Sequence, residues 1–238
     1  MTRQSHPTIL LTRPLAQSQR FADQIGGALI SPLMRPEFLS PMLPSGDFTA
    51  IVLTSETGVE AARRISAAGT ALPNRAFCVG NRTAEAARAA GFDASSAAGA
   101  VDDLLAYILA AAPVGHLLLL RGQDSVGDLE QRLVLAGIET VSQIIYRQIA
   151  QSLTDGARAV LQDPRPVILP IFSPRSARLL AAELRRVAAK APIWLAALSP
   201  AVAEAFDFPT VYTEIATRPD SAAMLQAVQA LRGAWMTS

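Results

Sequence analysis

The sequence predicts an α/β protein built as two similar doubly wound parallel-sheet domains, joined by a two-stranded antiparallel crossing, with one domain inserted into the other. Three observations carry this expectation. Short apolar runs alternate with alanine-rich helical segments along nearly the whole chain, as expected of parallel strands covered by helices on both faces. The stretch "IVLTSETGVEAARRI" from Ile51 is echoed by "PIFSPRSARLLAAEL" from Pro170, each an apolar run, a serine turn and a helix. The echo also keeps its spacing: Ser55 matches Ser173, Gly80 matches Ser199 and Asp102 matches Asp220, at offsets of 118, 119 and 118 residues. Such constancy marks two copies of one unit.

A second echo runs at a different offset. "ILLTRPLAQSQRFADQIGGALISPL" resembles "LLLLRGQDSVGDLEQRLVLAGIETVSQII", pairing Arg13 with Arg121. The same module therefore opens the chain and closes its central segment. Insertion reconciles the two offsets: residues 1–33 join 150–238 as a discontinuous domain around an inserted domain, 38–144. Residues 34–37 and 145–149 become the crossings, and "LMRPEF" and "IIYRQI" are extended enough to lie side by side as hinge strands. The cleft between two such domains is the default ligand site.

Taken in order, strands are expected at 8–12, 28–32, 50–54, 75–79, 116–120, 140–146, 167–172, 193–197 and 210–213, where apolar residues run continuously. Helices are expected at 15–25, 56–67, 83–90, 101–111, 126–136, 154–161, 174–189, 200–206 and 220–231. Those at 56 and 174 follow Ser55 and Ser173, sensible N-caps. Pro170 falls inside a strand, which suggests a bulge or an edge there.

Composition narrows the function classes. A formal net charge of +1 and 17% charged residues argue against a broad nucleic-acid surface but leave room for an anionic small molecule. Cys78 is the lone cysteine, so no internal disulfide forms and a reducing compartment fits. The most apolar region, 106–120, is broken by Pro113, Gly115 and His116, and the N-terminal apolar run is too short for a signal peptide. The expectation is a cytoplasmic protein without a membrane span, and a monomer, since no long exposed apolar stripe is evident.

Small and polar residues collect where the strands end: Thr12 and Arg13, Thr54 and Ser55, Gly80 through Thr83, Arg121 and Gly122, Ser173 and Ser199. Ligands of open parallel sheets bind at these carboxyl ends, where helix N-termini present unpaired N–H groups to anions. Each serine alone reads as a helix cap; together the turns read as a carboxylate-binding rim. Tyr146, in the second crossing, is equally a structural strand tyrosine or a hydroxyl facing the cleft. Arg147 beside it reads as a solvated charge or a ligand contact. His6 and His116 precede strands outside any Ser/His/Asp pattern, and no Cys/His metal cluster, Walker loop or GxGxxG is present.

The ordered set "LLTRP", "VLTSETGVEAA", "CVGNRTAEAARAAGF", "LLLLRGQDSVGDLEQRL", "GIETVSQIIYRQ" and "IFSPRSARLL" resembles the uroporphyrinogen-III synthase family over essentially the whole chain. The resemblance implies two α/β domains on a two-stranded ladder and a cofactor-free lyase. Its substrate would be hydroxymethylbilane, which it closes to uroporphyrinogen III with inversion of ring D and loss of water. Tyr146 would be the catalytic side chain, assisting departure of the hydroxyl group. By the same likeness Thr83 falls on the family's VG-x-x-T position and Ser55 on its TS turn. With them Thr12, Arg13, Gly80, Arg121, Gly122, Arg147, Ser173 and Ser199, from their places at the strand ends and the crossing, are expected to hold substrate, with no metal. A transient contact with the upstream bilane-forming enzyme follows from pathway logic. The second half departs from the pattern: where the family often reads Gly-x-x-Thr, this chain has Ser199 to Val202. A two-domain binding or sensor protein without turnover is the alternative.

Overall fold

The computed structural model describes residues 7–124 and 127–237; His6 and Val126, both used in the sequence reading, lie outside them. Its elements run β1 (Thr8–Leu11), α1 (Leu15–Ile25), β2 (Leu29–Ile30), β3 (Met34–Phe38), β4 (Phe48–Leu53), α2 (Glu56–Ala67), β5 (Arg75–Cys78), α3 (Asn81–Ala89), β6 (Asp93–Ser96) and α4 (Val101–Ala111). They continue with β7 (His116–Gly122), α5 (Leu129–Leu135), β8 (Thr140–Ala150), α6 (Asp155–Gln162), β9 (Val167–Ile171), α7 (Pro174–Arg186), β10 (Ile193–Ala197), α8 (Pro200–Glu204), β11 (Tyr212–Ile215) and α9 (Ser221–Thr237). The chain forms two compact units, residues 1–35 with 150–238, and residues 36–149.

In the first unit five strands form a sheet in the order β11-β10-β9-β1-β2, parallel throughout. Side chains alternate across it. Ile9, Leu11, Ile168 and Trp194 meet α1 and α9 through Phe21, Ile25, Met224 and Val228. On the opposite face Leu10, Leu169 and Leu195 meet α6 and α7 through Leu161, Leu180 and Leu184. Burial on both faces explains the unbroken apolar runs of β9 and β10.

Pro170 lies in β9, in the middle of this sheet and in register with Ala196, so neither the edge nor the bulge suggested by the sequence is found. The backbone explains why proline fits. The N–H of Val167 bonds Pro192 and the carbonyl of Ile171 accepts from Leu198, both on the β10 side. Residues 168 and 170 therefore face β1, and pairing with β1 ends at Ile168. The missing N–H costs no ladder bond there.

In the second unit six strands are ordered β3-β8-β7-β4-β5-β6. Ile51, Leu53, Ala76 and Leu118 pack under α2 and α3, whereas Val52, Phe77, Leu117 and Leu119 pack under α4 and α5. Two strands depart from the sequence reading. β6, "DASS", has poor strand propensity but completes the sheet as an edge beside β5. β8 runs unbroken from Thr140 to Ala150, so the second crossing continues a sheet strand. Leu39 N–H bonds Ile145 O and Gln151 N–H bonds Leu33 O, the opposed numbering of an antiparallel ribbon.

Cys78 closes β5, fully buried, and burial pushes its thiol from the ordinary 9.0 up to about 11, against a smaller opposing effect of the Arg88 charge. A raised folded value means that the unfolded chain ionises first. The thiol's contribution to stability is complete below pH 9.0 and declines as pH rises toward 11. Near neutral pH, labelling of Cys78 by a thiol reagent should follow global unfolding across a denaturant series; labelling complete before the unfolding transition contradicts this packing.

Candidate functional site

The site in the second unit starts from an irregularity in strand pairing. β7 and β8 run parallel with Leu120 against Gln143 and Arg121 against Ile144, and then Gly122 against Tyr146. Ile145 is the extra residue of a β-bulge, which interrupts alternation and re-aims the side chains that follow. Both Ile145 and Tyr146 consequently pack into the core beneath α2 and α3. Tyr146 keeps only 8% of its surface exposed, and its carbonyl accepts the N–H of Gln123 at 2.9 Å.

Gly122 makes room for that ring. A Cβ on residue 122 would lie 2.6 Å from Tyr146 Cζ and 2.8 Å from both Cε2 and the hydroxyl oxygen, distances no methyl group can occupy. The glycine is required by a side chain pressed against its backbone, because its own dihedrals are not left-handed.

Ser55 closes the arrangement. It is the N-cap of α2, with φ −156° and ψ 153°, and its Oγ accepts the Gly58 N–H at 3.0 Å. The same Oγ shares a 3.0 Å hydrogen bond with the Tyr146 hydroxyl. Its counterpart Ser173 caps α7 with φ −155° and ψ 151°, accepting the Ser176 N–H at 3.2 Å. There the hydroxyl donates to Ser176 Oγ at 2.9 Å. The duplicated turns thus share a backbone and differ in the partner of the serine hydroxyl.

On the α4–α5 side of the sheet, the face opposite the one under which Tyr146 packs, a solvent-open recess of about 170 Å³ is lined by Thr54, Leu119, Arg121, Asp128, Leu129 and Glu130, among others. The Glu130 carboxylate is satisfied internally, accepting from the N–H and hydroxyl of Ser142. Asp128 lies 3.9 Å from Arg132, and Arg121 makes no ion pair among the described residues, so the recess sets one cation and a threonine hydroxyl beside two carboxylates that other groups already engage.

The remaining residues fall into separate places. In the first unit Thr12 is buried at the end of β1. The Arg13 guanidinium lies 3.8 Å from the ring centre of Phe172, a cation–π contact next to the Ser173 turn. Ser199 occupies the N-cap of α8 without a capping bond. In the second unit Gly80 is the N-cap of α3, where a Cβ would meet nothing closer than 3.9 Å. Thr83 is buried in the first turn of that helix. Val202 holds the matching position of α8, buried in the core of the first unit, which explains how valine, the near-isostere of threonine, fills it. Arg147 ion-pairs with Glu37 on the neighbouring β3, so its charge is engaged within the ladder.

Gly58 was not singled out from the sequence. A glycine inside a helix costs about 1 kcal/mol relative to alanine, which is the signal that could have marked it. A Cβ there would sit 3.3 Å from Ser55 Oγ. Among the described residues no group of three or more His, Cys, Asp or Glu could hold a metal ion, and no helix is long and apolar enough to cross a membrane.

The contact between Gly122 and Tyr146 predicts a specific non-additivity. Gly122→Ala should destabilise the protein by about 1–3 kcal/mol through overpacking, read as a lower Tm. In a Tyr146→Ala background the same change should be close to neutral, because the obstructing ring is gone. Equal penalties in both backgrounds contradict the contact.

Comparison with known proteins follows the same lines. The family model described as uroporphyrinogen-III synthase HemD matches residues 17–226. No curated protein matches the sequence. Among solved structures, uroporphyrinogen-III synthetase from Helicobacter pylori superposes with a TM-score of 0.63 at 17% identity, covering 94% of this chain and 99% of that one. A mutant uroporphyrinogen III synthase from Thermus thermophilus gives 0.47 at 16% identity, over 97% and 100% of the two chains. The likeness to the first supports the fold, and the family match over most of the sequence supports more: this chain belongs to the uroporphyrinogen-III synthase family, the cyclising lyases of heme and tetrapyrrole biosynthesis.

Proposed function

We propose that this chain converts hydroxymethylbilane to uroporphyrinogen III with Tyr146 as the general acid, and that the polar strand ends of its sheets hold the substrate's carboxylates. The observation that carries the acid role is the Tyr146 hydroxyl, held at 3.0 Å from Ser55 Oγ at the N-terminus of α2. A phenol hydrogen-bonded to a helix cap can deliver a proton to a bound leaving group.

The chemistry asks for little more. Tyr146 gives its proton to the oxygen of the hydroxymethyl group. The C–O bond breaks, its electron pair leaves with the oxygen as water, and the pyrrole nitrogen stabilises the resulting azafulvene cation. The substituted carbon of ring D attacks it to give a spiro intermediate. The bond from that carbon to its original bridge then breaks, and the freed bridge carbon bonds to the unsubstituted α-carbon of ring D, which inverts the ring. Rearomatisation then releases a proton that restores the phenol.

Selectivity for the substituted carbon is a matter of positioning, which can supply several kcal/mol. Arg121, with Thr54, offers a guanidinium and a hydroxyl to one carboxylated side chain, and backbone N–H groups at the α2 and α3 N-termini offer donors for others. Arg13, Thr12, Ser173 and Ser199 supply the polar edge of the other sheet. We assign Arg147 to strand pairing because Glu37 already takes its charge. In this reading the protein works in the cytoplasm, taking an unstable linear tetrapyrrole from the enzyme that forms it.

The test is to supply purified protein with freshly made hydroxymethylbilane and resolve the isomers after oxidation. Excess type III product is expected; type I alone, the spontaneous isomer, would leave at most a binding or sensor protein. Tyr146→Phe should slow turnover by ~10²-fold while type III remains the enzymatic product, and full turnover in that variant would remove the acid role.

A further inference from the structure

We infer that Ser55 is a positioning residue that fixes the direction in which Tyr146 gives its proton, through a relay beginning at the N-terminus of α2. The inference rests on Tyr146 being the acid.

A serine hydroxyl has one proton and two lone pairs. One lone pair of Ser55 is occupied by the Gly58 N–H at 3.0 Å, and the Tyr146 hydroxyl, also at 3.0 Å, is the other hydrogen-bond partner of that oxygen. Two arrangements are open: Ser55 donates to Tyr146, or Tyr146 donates to Ser55. Only the first leaves the phenolic proton free for a substrate. The first is also favoured electrostatically. Accepting a backbone N–H at a helix N-terminus draws electron density from Ser55 Oγ, making its O–H a better donor and its oxygen a poorer acceptor.

The same polarity helps after the proton has left. When Tyr146 transfers its proton and negative charge develops on its oxygen, the Ser55 O–H is already aimed at that oxygen, with the α2 N-terminus behind it. No group needs to reorient, which is the condition for effective stabilisation of developing charge. Gly122 restrains the ring from the β7 side, since nothing larger fits within 2.8 Å of it. The phenol is therefore held by a glycine backbone on one side and a serine donor at its oxygen.

The duplicated turn supplies an internal control. Ser173 repeats the cap and backbone of Ser55, but its hydroxyl proton is spent on Ser176 Oγ. Capping alone therefore does not account for the Ser55–Tyr146 contact. A cap needs only the acceptor; the donor direction is the added property.

The experiment is a kinetic double-mutant cycle on the full chain with freshly made hydroxymethylbilane, comparing wild type, Ser55→Ala, Tyr146→Phe and the double variant, with Tm measured for each. Ser55→Ala should lower kcat about tenfold, the scale of one lost hydrogen bond, with KM within about twofold of wild type. Ser55→Thr, which keeps the hydroxyl, should restore kcat. In the Tyr146→Phe background, Ser55→Ala should have almost no further effect on kcat, although it should still lower Tm through the lost cap. If the two substitutions multiply in kcat, Ser55 acts independently of Tyr146 and the inference fails. It fails too if Ser55→Ala leaves kcat unchanged while Tyr146→Phe slows it. Full activity in Tyr146→Phe instead overturns the acid role itself, so the two failures are distinguishable.

Discussion

A helix that begins at the carboxyl end of a buried parallel strand leaves its first N–H groups unpaired, and something must accept from them. In the second unit Ser55 meets that need for α2, and its remaining hydrogen-bonding capacity is turned on Tyr146. The local requirement of the fold and the chemistry of the site thus share one oxygen atom. The bulge at Ile145 brings the tyrosine ring within reach, and the bare backbone of Gly122 lets it settle there. Removing any of these three features would separate the phenol from the helix terminus that polarises its partner.

Duplication explains why such a site could arise at a cap. Both copies carry the same serine turn with dihedrals that agree within a few degrees. One copy closes its hydroxyl on its own helix, and the other spends it on a residue brought in by a neighbouring strand. Asp102 and Asp220 diverge similarly. Asp220 accepts the Ala223 N–H at 2.8 Å as the cap of α9, whereas the corresponding helix α4 is capped from Asp103, which reaches back to Ala100 N–H at 2.6 Å. Asp102 instead pairs with Arg132. The copies keep the backbone geometry and redistribute the side-chain bonds.

The fold class was legible because burying a parallel sheet on both faces leaves a plain trace: apolar runs such as "VILPI" and "IWLAA" between amphipathic helices. Elements that rely on neighbours left weaker traces. β6 is a strand because β5 offers it an open edge, and no pattern in "DASS" announces that. Pro170 reads as a defect until the direction of each N–H in β9 is known. At the site, the residue types pointed to Ser55, Gly122 and Tyr146 one at a time, as a cap, a turn glycine and a crossing tyrosine. Their contact depends on a one-residue slip between β7 and β8, and register is a property of two strands together. The pairing of Arg147 with Glu37 was hidden for the same reason.

The central claim is that the Tyr146 phenol itself moves a proton during turnover. Replacing Tyr146 with a series of fluorinated tyrosines tests it directly, because fluorine makes the phenol more acidic with little change in shape. A phenol acting as general acid predicts that kcat changes in step with the acidity of the substituted ring, the Brønsted behaviour of proton transfer. A kcat that stays constant across the series would contradict it, leaving Tyr146 a packing residue beside a helix cap.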